Sequence, residues 1–197
     1  MQDVESDRRR NAPGLLDRDH IDSLVETIHE RSRGESRLAS GDAASNVDSS
    51  QINCTFYDAL GRRDAEYLIA RAVQCFVPGI PQIYYVGLLA GSNDIELLRR
   101  TGVGRDINRH YYESAEVSEA MSRPVVQSLL SLLRVRNTHR AFAGAFTIEP
   151  SSRDRLALRW TRHGEWIRLD ADLSRMCASI SSGGGTPSAS RVWSSEA

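Results

Sequence analysis

Between positions 78 and 87 the chain reads Pro-Gly-Ile-Pro-Gln-Ile-Tyr-Tyr-Val-Gly, and this run restricts the fold more than any other. Residues 82–86 are β-branched and aromatic, with Pro81 before and Gly87 after them, the punctuation of a short buried strand. A helical stretch at 64–77 leads into it, with Leu68, Ile69, Ala72, Val73 and Phe76 on its inward side. Helix, short turn and buried strand make one αβ step of a parallel sheet. A long polar loop rich in Gly, Asp, Asn and Arg runs on to Tyr112. In α/β enzymes such a loop lies at the carboxyl end of the sheet, where ligands bind. An ordinary core strand with a surface loop fits the spacing equally well. No other parallel strand of this quality appears upstream, so most of a sheet is missing.

The remaining pattern falls into blocks. Residues 1–14 are polar, contain Arg8-Arg9-Arg10, and read as a loose terminus. Asp17 suits the N-cap of a helix to about Arg31, with Ile21, Leu24, Val25 and Ile28 on one stripe. Residues 32–53 are small and polar and carry no periodicity, a loop long enough to be functional. Pro124 opens another helix, with Val126, Leu129, Leu130 and Leu133 as its stripe. The period then changes to two at Phe146-Ile148, Leu156-Leu158-Trp160, Ile167-Leu169 and Met176-Ala178-Ile180, the mark of a small antiparallel sheet. The Gly/Ser-rich stretch after Ile180 reads as a flexible tail.

Basic and acidic residues number 25 and 26, which leaves no net field directed at nucleic acid or a membrane surface. Cys54, Cys75 and Cys177 are far apart and form no CxxC pair, as suits a reducing cytoplasm. The charged start is no signal peptide, and no apolar run is long enough for a membrane helix. The five histidines form neither HExxH nor a Cys/His cluster, so no metal site is expected. Gly102-Val103-Gly104 is not a dinucleotide loop, because Ile107 stands where the third glycine is needed. His110 with Tyr111 and Tyr112 could line a sugar pocket or simply pack beneath the loop.

Three segments together resemble the sucrose phosphorylase family within glycoside hydrolase family 13, the α-amylase superfamily. The stretch 78–112 resembles its eighth strand and following loop. The second segment is Gly34-Glu35-Ser36 with 43–48 and Gln51-Ile52-Asn53, and the third is Arg123-Pro124-Val125-Val126 with Arg136-Asn137. The likeness spans about 15–146 and is only general beyond. It implies an α/β fold: the C-terminal part of a (β/α)8 TIM barrel at 15–140, a small antiparallel β domain at 141–180, and a tail at 181–197. A whole barrel takes about 200–250 residues, so the chain reads as a fragment.

The resemblance also implies chemistry. In the Gly104-Arg105-Asp106 motif the arginine would grip the glucosyl unit where the bond breaks; the rival reading is that Arg105 and Asp106 pair to stiffen the loop. Asp48 and Gln51 match the two ends of the family's acceptor-binding Asp-Leu-Tyr-Gln run, but Ser49 and Ser50 replace its leucine and tyrosine. That leaves glucosyl transfer in place and the acceptor open. The two carboxyls of a retaining transfer would come from strands upstream of Met1, so no catalytic residue is expected here and the isolated chain should be inactive.

The expected reaction moves glucose from sucrose or a related α-glucoside to inorganic phosphate, giving α-glucose 1-phosphate, with no cofactor. Alternatives are a glucosylglycerol or glucosylglycerate phosphorylase, a hydrolase or transglucosidase of the superfamily, and, from another class, a non-catalytic sugar-binding or interaction module. A homodimer is an option for the full-length enzyme. A lone barrel strand with uncovered helix stripes should also make the chain prone to association.

Overall fold

The computed structural model of the protein describes residues 16–40, 51–184 and 189–196. In chain order the helices are α1 (Arg18–Arg31), α2 (Glu35–Leu38), α3 (Phe56–Ala59), α4 (Asp64–Phe76), α5 (Tyr85–Leu88), α6 (Ile95–Thr101), α7 (Ser114–Ser122) and α8 (Pro124–Thr138). The strands follow: β1 (Ala145–Glu149), β2 (Arg155–Arg162), β3 (Glu165–Asp172), β4 (Cys177–Gly184) and β5 (Ser190–Ser194). The chain divides into two compact units, Met1–Arg62 with Ser92–His110 and Arg63–Gly91 with Tyr111–Ala197.

The first unit is small and its core is slight. As expected, Asp17 caps α1 by accepting from the His20 N–H at 2.9 Å. The expected apolar stripe is poorly covered, however: Leu24 is 54% exposed, and the helix's one buried residue is His29. Left-handed Arg33 and Gly34 end α1 and start α2. Ala39, Leu98 and Ile107 form the apolar centre, with Ile95 against them.

In the second unit α4 and α8 pack on a five-stranded antiparallel meander, order β1-β2-β3-β4-β5. One face of the sheet carries Leu158, Leu169, Ile180 and Trp193, aligned across β2 to β5 and all buried. Two indoles fasten this face to the helices. Trp160 donates to the Phe76 carbonyl at 2.6 Å and Trp193 to that of Ser128 at 3.0 Å. Phe142 stands edge-on to Phe76 and Trp160, with centroids 5.0 and 6.0 Å away. The α8 stripe is rotated slightly from expectation: Val125, Val126, Leu129 and Leu132 are buried, while Leu130 and Leu133 are half-buried.

Three expectations need correction. Residues 82–86 form no strand. Gln82 and Ile83 are irregular, and the backbone coils from Tyr84 into α5, with Leu88 N–H donating to the Tyr84 carbonyl at 2.8 Å. β propensity expresses fit to a pleated, half-buried surface; no ladder partner exists among the described residues, and Ile80 and Tyr84 stand 97% and 54% exposed. The supposed long loop contains helix α6, capped by Asp94, and the 3₁₀ turn Gly104–Asn108. Just after it Glu113 with Glu116 forms a capping box for α7. Lastly, 181–197 is not simply a tail, because β4 continues to Gly184 and β5 pairs with it. The glycine at 183 has a packing reason: a Cβ there would lie 2.9 Å from the Trp166 indole on β3.

Gly144 is tighter still, since a Cβ there would sit 1.9 Å from the Thr161 carbonyl oxygen where β1 enters the sheet. Gly144→Ala should cost about 1–3 kcal/mol through backbone displacement, read as a lower urea midpoint of the sheet's tryptophan signal. An unchanged midpoint would show that this approach is not a constraint.

Candidate functional site

Arg105 is the second residue of a 3₁₀ turn, Gly104–Asn108. Its side chain is exposed and makes no ion pair or hydrogen bond among the described residues. The stiffening Arg105–Asp106 pair is therefore not formed, and the guanidinium is available to a ligand. Two residues on, Ile107 is fully buried against Ala39 and Leu98. An exposed arginine is thus carried on an anchored turn.

The turn is closed at its base by Asp94. Its N–H donates to the Ile107 carbonyl at 2.7 Å, Oδ1 accepts from the Leu97 N–H at 2.7 Å, and Oδ2 meets His110 Nδ1 at 2.6 Å. Burial opposes ionisation of Asp94, but the His110 and Leu97 hydrogen bonds outweigh it and hold the carboxyl below its ordinary pKa. His110 is thereby part of the loop's closure. Tyr111 is 72% exposed.

Asn93, next to Asp94, ties the turn to a buried polar hub. Its Oδ1 accepts from the Thr55 N–H at 2.8 Å and its Nδ2 donates to Glu35 Oε2 at 3.0 Å. Its own N–H donates to Asp58 Oδ2 at 2.8 Å. Asp58, 1% exposed, also accepts from the Thr55 hydroxyl at 2.7 Å and pairs with Arg62 Nε at 2.5 Å. Arg62 reaches on to Glu35 at 3.1 Å. Buried Asp58 and half-buried Glu35 are thus both committed to Arg62, and neither is placed as a nucleophile or general acid. Cys54, pushed up to about 11 by burial, is an inert thiol.

The two expected acceptor residues fare differently. Asp48 lies outside the described residues, and Gln51 is exposed at the end of that segment. Nearby, Asn53 N–H donates to Ser40 Oγ at 3.1 Å, and Asn53 Nδ2 to the Ala39 carbonyl at 2.9 Å. Ala39 is also the residue on which Ile107 packs. The contact between Ala39 and Asn53 and the base of the Arg105 turn therefore share one residue. Sequence reading missed Asn93, Asp58, Glu35 and Ala39. The Asp94 N-cap followed by Gly102 was a readable helix signal, but nothing local marks a hub assembled from three separated segments.

No protein-family model matches the chain. The sucrose phosphorylase of Agrobacterium vitis is 56% identical over 172 residues, covering 87% of this chain and 35% of that protein. Over most of its own length the chain is similar to the sucrose phosphorylases. It spans about a third of the length of the curated relatives it matches. The sucrose phosphorylase of Bifidobacterium adolescentis is 50% identical over 80% of this chain, and the glucosylglycerol phosphorylase of Marinobacter adhaerens 46% identical over 82%. In three dimensions the chain is similar to the sucrose 6F-phosphate phosphorylase of Thermoanaerobacter thermosaccharolyticum, with a TM-score of 0.79 and 39% identity, over 90% of this chain and 36% of that one. The helices and following antiparallel sheet thus match the C-terminal part of a family 13 phosphorylase, as the fold class expected. Among the described residues, no helix is long and apolar enough to cross a membrane.

A carboxyl held below its ordinary pKa stabilises the fold above its unfolded value, near 4, and ceases to do so as pH falls through the folded one. Protection of the Leu97 and Asp94 amides against hydrogen exchange should therefore fall below about pH 4, and Asp94→Asn should lower it at pH 7 as well. Protection unaffected by either change would show that the turn is held by packing alone.

Proposed function

We propose that this chain is the part of a retaining glucosyl phosphorylase that holds the sugar and receives the acceptor. The reaction takes glucose from sucrose or a related α-glucoside and gives it to inorganic phosphate, forming α-glucose 1-phosphate. The observation that carries this reading is Arg105, exposed and without a partner among the described residues, on a turn whose neighbour Ile107 is fully buried. A planar guanidinium held in this way offers paired donors to sugar hydroxyls or to the entering phosphate without first breaking an ion pair. Support comes from relatives at 50–56% identity that are sucrose phosphorylases.

A retaining transfer needs two carboxyls about 5–5.5 Å apart, one the nucleophile and one the acid/base. In this proposal they belong to the two thirds of the family's length that the chain does not span. The first step forms a glucosyl-enzyme on the nucleophile as the acid protonates the leaving fructosyl oxygen. Phosphate then attacks the same carbon and releases the nucleophile. Arg105 orients the glucosyl unit or its incoming partner, while Asp48 and Gln51 face the acceptor side. With Ser49 and Ser50 between them, the acceptor pocket lacks a leucine and a tyrosine. Relatives named for glucosylglycerol and sucrose 6F-phosphate, at 46% and 45% identity, make those glucosides, as donors in place of sucrose, the second reading. A cytoplasmic location belongs to the same proposal.

The test places residues 16–197 into the Agrobacterium vitis enzyme in place of its matching part. The hybrid should release glucose 1-phosphate from sucrose and phosphate, whereas the isolated chain should release none. Arg105→Ala in the hybrid should lower kcat/KM roughly 10- to 100-fold, the size of one or two charge-assisted hydrogen bonds. A faster reaction with glycerol or fructose 6-phosphate as acceptor, run in reverse from glucose 1-phosphate, would favour the second reading. Turnover by the isolated chain, or full activity without Arg105, would overturn the proposal.

A further inference from the structure

The face of the sheet turned away from α4 and α8 is not a plain solvated surface. Cross-strand pairing aligns Ala157, Asp170, Ser179 and Ser194 in one row, with Arg155, Asp172 and Cys177 in the row beside it. Small side chains at Ala157, Ser179 and Ser194 leave a trough between longer ones, a cleft of about 480 Å³. That volume lies within the usual range for small-molecule sites.

The charges around this cleft are of two kinds. Arg168 is fixed by Glu149 at 2.6 Å and by Asp170 at 2.5 Å, and Arg155 by Asp172 at 2.7 Å. Asp172 also accepts from the Ser174 hydroxyl and the Arg175 N–H, at 2.7 and 3.0 Å, which sets the β3–β4 turn. Arg175 and Arg191 line the same cleft, and their guanidinium groups have no partner among the described residues. Carboxylates at Asp170 and Glu196 and a hydroxyl at Ser179 complete the lining.

We infer that this cleft binds a phosphorylated monosaccharide, with the phosphate on Arg175 and Arg191 and the sugar hydroxyls on Asp170, Glu196 and Ser179. Two unpaired guanidinium groups suit a phosphate dianion. The nearby carboxylates repel a bare phosphate, yet they accept hydrogen bonds from sugar hydroxyls, so the mixed lining favours a ligand that carries both groups. No residue of the Arg105 turn lines this cleft.

Equilibrium dialysis of the full chain against radiolabelled glucose 1-phosphate, with glucose 6-phosphate, inorganic phosphate and sucrose as competitors, tests this. Binding should be displaced by glucose 6-phosphate, at least tenfold less well by phosphate, and not by sucrose. Arg175→Ala with Arg191→Ala should weaken binding at least tenfold while leaving the far-ultraviolet circular dichroism unchanged. Ser179→Tyr, which fills the trough, should weaken it likewise. Run on the Arg105→Ala chain, the same dialysis removes the proposed glucosyl contact, so label retained there and lost on adding Arg175→Ala and Arg191→Ala belongs to the cleft. No label retained on the Arg105→Ala chain, label still retained after Arg175→Ala with Arg191→Ala, or equal displacement by inorganic phosphate would overturn the inference.

Discussion

A single buried carboxylate sets the arrangement of the first unit. Asp58 is almost wholly withdrawn from water, and an unpaired charge there would cost several kcal/mol. Its two oxygens must therefore be supplied with donors, and the donors come from different parts of the chain: Arg62 one turn on, Thr55 at the cap of α3, and the Asn93 N–H ahead of α6. Meeting that one demand brings the segment before α6 to α3, and Glu35 joins through both Arg62 and Asn93. The Arg105 turn inherits its place from this hub, because Asp94 follows Asn93 and closes the turn at Ile107. Polar satisfaction supplements a small apolar core, which among the described residues includes Ala39, Tyr57, Leu97, Leu98 and Ile107.

The second unit rests on ordinary burial, and for that reason more of it was legible. Period two from Phe146 to Ile180 gave four strands at nearly the observed bounds, because one face had to be covered by α4 and α8. The fifth strand escaped notice since Arg191-Val192-Trp193 follows a Gly/Ser stretch, and its role depends on Trp193 reaching Ser128. The glycine at 183 looked like a flexible linker residue and is instead the space that an indole on β3 requires.

The strand expected at 82–86 shows where local reading ends. Gln-Ile-Tyr-Tyr-Val has the composition of a strand, but a strand exists only with a neighbour to complete its ladder. Lacking one among the described residues, the backbone satisfies itself through α5 and leaves Ile80 and Tyr84 in solvent. For the candidate site, the motif around Arg105 was readable from the sequence. The reason Arg105 is available was not, since that depends on Asn93, Asp94 and Ala39 converging from separate segments.

The central claim is that Arg105 meets the reacting sugar or its acceptor. A crystal structure of the hybrid enzyme with glucose 1-phosphate bound examines that most directly. The account requires a guanidinium nitrogen of Arg105 within about 3 Å of a glucosyl or phosphate oxygen, with Ile107 still buried against Ala39. A sugar fully held by other groups, with Arg105 pointing into solvent, would contradict it.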